Sequence, residues 1–61
     1  MFYVRIYFCN TYRDLIVDEF EKDRITNWFY GQEGDKITIQ QKVSTYHFHK
    51  NHVGGLVVSS T

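Results

Sequence analysis

Proline and alanine are absent from this chain, leucine occurs only as Leu15 and Leu56, and Cys9 is the single cysteine. Each scarcity excludes something. One cysteine cannot form an intrachain disulfide, so the fold must be held by packing alone. The shortage of alanine and leucine removes the residues best suited to helices. Long apolar runs are missing too: the longest uncharged stretch, Asn51 to Thr61, is rich in glycine and serine and falls well short of the ~20 apolar residues that span a bilayer as a helix. Arg5 interrupts the first apolar stretch and no small-residue cleavage site follows it, so nothing resembles a secretion signal. The expectation is a soluble, cytoplasmic protein with no membrane partner. Nor is there a charge bias, since seven Lys and Arg balance seven Asp and Glu. Proteins that draw their affinity from phosphate neutralisation carry a basic excess, so nucleic acid is a possible but not a favoured partner.

What remains is strand chemistry. Val, Ile and Thr supply sixteen of the 61 residues and Phe, Tyr and Trp eleven, the types that fit a pleated, half-buried surface. A chain of this length has room for one domain, residues 1–61, with a small core that hides only about 60% of the surface exposed in the unfolded state. Phe2, Val4, Ile6 and Phe8 alternate with Tyr3, Arg5, Tyr7 and Cys9, the two-residue period of a strand. Asn10-Thr11 reads as a turn into a second segment, Tyr12 to Phe20. That segment alternates as well, but Leu15, Ile16 and Phe20 also fit a helical stripe, and Thr11 with Asp14 resembles an imperfect capping box. A helix there could extend through Ile25 and Trp28.

Further on, Ile25 to Tyr30 reads as a strand, Gly31-Gln32-Glu33-Gly34-Asp35 as a hairpin turn with two glycines free to take positive φ, and Lys36 to Gln41 as the return strand. Val43 to His49 follows after a tight connection near Gln41-Lys42, with Tyr46 and Phe48 on one face. Lys50-Asn51-His52 is a turn. Val53 and Leu56 to Val58 form a last strand in which Gly54-Gly55 suggests a bulge, and Ser59 to Thr61 are expected to fray. The fold class expected is all-β, a small antiparallel meander or open barrel of five to six strands. The alternative is α+β with a helix near residues 11–23.

Chemistry-bearing constellations are few. His47 and His49 alternate on one strand face and His52 lies in the next turn, a geometry that permits a shared zinc ion or a pH response. The chain offers no second clustered ligand group, so solvent-facing histidines are the favoured reading and no metal or other cofactor is expected. Cys9 would need the fold to bring it a histidine before it could act as a nucleophile. Asp14, Asp18 and Glu21 have no spacing that singles out acid–base work, and the acidic run from Asp14 to Asp23 reads as a solvated face or a dock for a basic partner. Gly31-Gln32-Glu33-Gly34 lacks the Lys and Ser/Thr of a phosphate loop. An enzyme is not expected.

The aromatics carry the functional expectation. Eleven such residues exceed what one sheet face can hide. If Phe2, Val4, Ile6 and Phe8 point inward, Tyr3 and Tyr7 flank Arg5 outside, and Tyr, Arg and Trp are the types enriched at the energetic centres of interfaces. Tyr3, Arg5, Tyr7 and Trp28 are therefore the candidate binding residues. The partner expected is a protein or a second copy of the chain. A small β-barrel that stacks single-stranded nucleic acid or a nucleotide on the same residues is the alternative. In overall character, strand-rich and without catalytic or secretion motifs, the chain resembles the small accessory proteins of bacteriophages and other mobile elements. That resemblance implies binding to, and inhibition of, a host protein.

Overall fold

The alternation of the first residues becomes β1 (Phe2–Phe8), which pairs antiparallel with β2 (Thr11–Val17) from Phe2↔Val17 to Phe8↔Thr11. The computed structural model describes residues 1–31 and 34–61. The turn between these strands is Cys9-Asn10 rather than Asn10-Thr11, and both residues have positive φ, 49° and 65°. A two-residue hairpin requires that conformation because its twist then matches the strands. Asparagine tolerates it; cysteine does so less readily.

After β2 the chain enters α1 (Glu19–Tyr30), which corrects two expectations at once. The strand expected from Tyr12 to Phe20 ends at Val17; the helix of the alternative reading begins at Glu19 rather than near residue 11 and runs through Ile25 and Trp28, where it replaces the strand expected from Ile25 to Tyr30. Its start is not Thr11 but Asp18, whose carboxylate accepts from the Glu21 N–H at 2.8 Å. Glu19 and Glu21 then occupy the first turn, where the helix dipole favours acidic groups. Most of the acidic run is thereby explained locally, since Glu21 also pairs with Arg24 and Asp23 with Lys22. Burial settles why Ile25 and Trp28 lie on a helix. Three positions apart, they share a helical face and are both buried, whereas in a strand they would point to opposite sides.

Gly31 caps the helix by donating its N–H to the Asn27 carbonyl at 2.8 Å, with negative φ. The segment after it joins α1 to β3 (Lys36–Gln40) and so is not the hairpin expected between two strands; Gln32 and Glu33 of that turn lie outside the described residues. Gly34 has φ +131°, open only to glycine. β3 pairs with β4 (Thr45–His49) from Lys36↔His49 to Gln40↔Thr45, and Val43 sits in the connection, 94% exposed, rather than in the strand. A short 3₁₀ turn, Lys50–His52, leads to β5 (Val53–Ser60).

β5 does not continue a meander. It returns to the far side of β1, giving a three-stranded sheet β2-β1-β5 beside a two-stranded sheet β3-β4. The β1–β5 register slips between Tyr7↔Gly55 and Phe8↔Val53, so the glycine pair holds the expected bulge. Ser59 and Ser60 are paired with Tyr3 and Phe2 instead of frayed, and Thr61 donates its N–H to the Met1 carbonyl at 3.3 Å. Strands make up 54% of the structure, in two antiparallel sheets with one helix. The fold is small and sheet-dominated, and the described residues form no closed barrel.

The core lies between the inner face of the three-stranded sheet, α1 and the two-stranded sheet. Val4 and Ile6 from β1, Ile25 from α1 and Ile39 from β3 have 0% exposure, and Leu15, Val17, Trp28, Ile37, Phe48 and Val53 complete it. Phe8 and Phe48 join the two sheets edge to face with centroids 5.3 Å apart. Polar ties then fix the helix: Arg24 reaches the Thr38 carbonyl of β3 at 2.6 Å, and the Lys50 ammonium donates to the Gly31 carbonyl at 2.7 Å.

Trp28 Nε1 is buried without a hydrogen-bond partner among the described residues, so its role is carried by ring packing. Trp28→Ala should cost about 3–5 kcal/mol, enough to unfold most of a domain this small. Trp28→Phe, which keeps an aromatic ring and removes the orphan N–H, should stay within about 1.5 kcal/mol of the parent in urea denaturation.

Candidate functional site

β1 is paired at both edges, and the helix and the two-stranded sheet cover one of its faces while the other belongs to solvent. Val4 and Ile6 turn inward, leaving Tyr3, Arg5 and Tyr7 on the outer face of the three-stranded sheet. Register across the strands then assembles their neighbours. Tyr3 stands between Ile16 and Ser59, Arg5 between Asp14 and Val57, and Tyr7 between Tyr12 and Gly55. Tyr3, Tyr7, Tyr12, Ile16 and Val57 are 38–51% exposed, so this face presents aromatic and aliphatic side chains to solvent as a contiguous group.

An ion pair lies at the centre. Arg5 Nε donates to Asp14 Oδ1 at 2.7 Å and its second nitrogen to Oδ2 at 3.1 Å, the bidentate geometry that fixes a guanidinium plane. The same guanidinium lies over the Tyr12 ring, 4.2 Å from its centroid, and Tyr7 packs tilted against Tyr12 at 5.8 Å. Asp14 therefore does for Arg5 what a loose surface charge could not: it holds the cation over an aromatic ring. The arrangement is preorganised, which lowers the ordering cost when a partner docks.

Trp28, the fourth candidate binding residue, is not brought to this face. It is 4% exposed and packs from α1 beneath the opposite side of the sheet, because the segment assigned to a strand is a helix whose buried stripe includes it. The residues missed by sequence reasoning are Tyr12, Asp14, Ile16 and Val57. Only pairing register reveals them, although the alternation of Tyr12, Asp14 and Ile16 placed those three on a common side.

The histidines lie elsewhere. His47 and His49 project from the exposed face of β4, and His52 sits in the 3₁₀ turn with its ring 5.8 Å from that of His49. His47 Nδ1 is 3.0 Å from the Thr38 hydroxyl across the strand pair. A cleft of about 230 Å³ runs past all three and Cys9. Among the described residues no group of three or more His, Cys, Asp or Glu side chains is placed to hold a metal ion. Equimolar zinc should accordingly leave the thermal midpoint unchanged; a rise abolished by His49→Ala would reveal a site that this geometry does not contain.

The ion pair also sets an acid limit on the face. Hydrogen bonds from Arg5 hold the Asp14 carboxyl below its ordinary value of 3.8, while Asp14 foremost, with Tyr7, raises the Arg5 guanidinium further. A depressed carboxyl adds stability that is present above the unfolded value and lost as pH falls through the folded one. Urea midpoints followed from about pH 6 to about pH 2 should thus fall less steeply in Asp14→Asn than in the parent. Parallel curves would show that the pair contributes nothing. Comparison with protein-family models, with curated proteins and with solved structures finds no match for this chain.

Proposed function

We propose that the chain is a non-catalytic protein-binding module, and that the outer face of the three-stranded sheet, centred on Tyr3, Arg5 and Tyr7, is its docking surface. The observation that carries this reading is the exposed cluster of three tyrosines, Ile16 and Val57 around a fixed Arg5–Asp14 pair. Tyrosine and arginine are enriched at the energetic centres of protein interfaces: tyrosine combines a large apolar area with a polar tip and few rotamers to freeze, and arginine offers a planar fork of donors that here is already held by Asp14. A host protein bound and inhibited by a small phage or mobile-element accessory protein is the kind of partner that the chain's character suggests. Self-association through the same sheet is the other form of this reading.

The competing reading, base stacking by single-stranded nucleic acid on Tyr3 and Tyr7, draws on the same tyrosines. It is disfavoured by electrostatics. Arg5 is already neutralised by Asp14, the chain's formal net charge is zero, and a phosphate backbone would meet no free cation at the centre of the face.

Site-specific photocrosslinking tests the choice. A benzophenone amino acid placed at Tyr3 or Tyr7, in cells that naturally express the chain, should give a discrete protein adduct that is absent when the probe sits at Thr45 on β4. No adduct from either face position would sink the proposal. If instead a labelled oligothymidylate binds with an affinity that falls with salt, and Tyr7→Ala costs about 1–3 kcal/mol, the nucleic-acid reading replaces it.

A further inference from the structure

The strand order β2-β1-β5 leaves two outer edges on the larger sheet, and they are not equivalent. β2 carries Arg13 and Asp14, and Arg13 reaches over the Tyr46 ring of β4 at 5.1 Å, so that edge bears charge and is tied by a side chain to the second sheet. β5 has neither. From Val53 to Ser60 it contains no charged residue and no proline, its one irregularity lies at the glycine pair, and among the described residues no strand pairs with its outer side. Edges of this kind are what folded proteins ordinarily shield.

The backbone parity of β5 can be derived twice. Thr61 N–H bonds to the Met1 carbonyl, and antiparallel hydrogen bonds fall on alternate pairs, so Tyr3↔Ser59, Arg5↔Val57 and Tyr7↔Gly55 are the bonded pairs. Independently, the two-residue turn makes Phe8↔Thr11 a bonded pair, which directs the even residues of β1 to β2 and the odd ones to β5. Both routes leave the N–H and C=O groups of Leu56, Val58 and Ser60 pointing away from β1 and outward.

We infer that this edge pairs with the same edge of a second copy, antiparallel about a two-fold axis at Val57. In that register Val57 faces its own equivalent as a non-bonded pair on the outer face. Leu56 and Val58 exchange backbone hydrogen bonds with the other copy's Val58 and Leu56, so every central cross-strand pair is aliphatic. Charge compatibility selects a second copy as the occupant. On the axis Val57 meets its own equivalent, a self-contact that a charged residue there could not tolerate, and no other residue of β5 brings a charge into the pairing. The two three-stranded sheets become one continuous sheet, and the Tyr3-Arg5-Tyr7 faces of both copies lie on its same side. This inference rests on the self-associating form of the proposed function and names its surface.

Sedimentation equilibrium of the full chain, from about 1 to about 200 µM, tests it by reading a monomer–dimer equilibrium in the micromolar range. Val58→Pro removes an outward N–H while sparing the ladder to β1, and should raise the dissociation constant roughly tenfold or more with the circular dichroism spectrum unchanged. Should that variant misfold, Val57→Lys and Val57→Glu supply the test. Each alone places like charges at the axis and should sediment as a monomer, and an equimolar mixture should restore the dimer. A parent that stays monomeric throughout overturns the inference while leaving the face-directed crosslink to stand or fall separately. A dimer that survives in a folded Val58→Pro also overturns it, because packing face to face does not need that N–H.

Discussion

Everything in this molecule is referred to β1. It is the only strand of the larger sheet with a partner on each side, and its two fully buried residues, Val4 and Ile6, fix which way every neighbour must face. A shift of one residue in either pairing would turn a whole strand over. That would carry Leu15 and Val17 out of the core and bring Asp14 into it. The register is therefore enforced by burial on one side, and the exposed tyrosine–arginine face on the other side follows from that enforcement.

The helix illustrates a different hierarchy. Its sequence is poor in strong helix formers and contains the run Ile25-Thr26-Asn27-Trp28-Phe29-Tyr30, which favours strands on propensity alone. Tertiary demand prevails. The inner face of a three-stranded sheet has to be covered, and a helix touching β1, β2 and β5 covers it by burying only Ile25 and Trp28. Asp18 and Glu21 supply the local start signal, in the spacing of a capping box. That signal was legible, but the surrounding acidic residues made it look like a solvated charge run.

Legibility elsewhere tracks how local the determining interaction is. β1, the β3–β4 pair and the glycine bulge of β5 could be read because alternation and glycine placement are properties of neighbouring residues. The outward placement of Tyr3, Arg5 and Tyr7 followed from the same alternation. Trp28 was misplaced because a helix, not a strand, decides its direction. Ser59 and Ser60 look like a frayed end by composition, yet Tyr3 and Phe2 pair with them across the sheet. The partnership of Arg5 with Asp14 lay beyond reach for the same reason, since it depends on which residues a hairpin sets opposite each other.

The return of β5 to β1 has a kinetic consequence. The β1–β2 pair closes through a two-residue turn, but β1 and β5 pair residues as far apart as Phe2 and Ser60, so completing the sheet requires nearly the whole chain to close into one loop. Closure entropy of that kind must be met before the distant contacts can repay it, which raises the folding barrier above that of a simple meander. Until β5 arrives, the odd-numbered backbone groups of β1 have no partner. The β1–β2 hairpin and the helix rest on contacts local in sequence, so pairing of the last strand carries the long-range part of the closure cost.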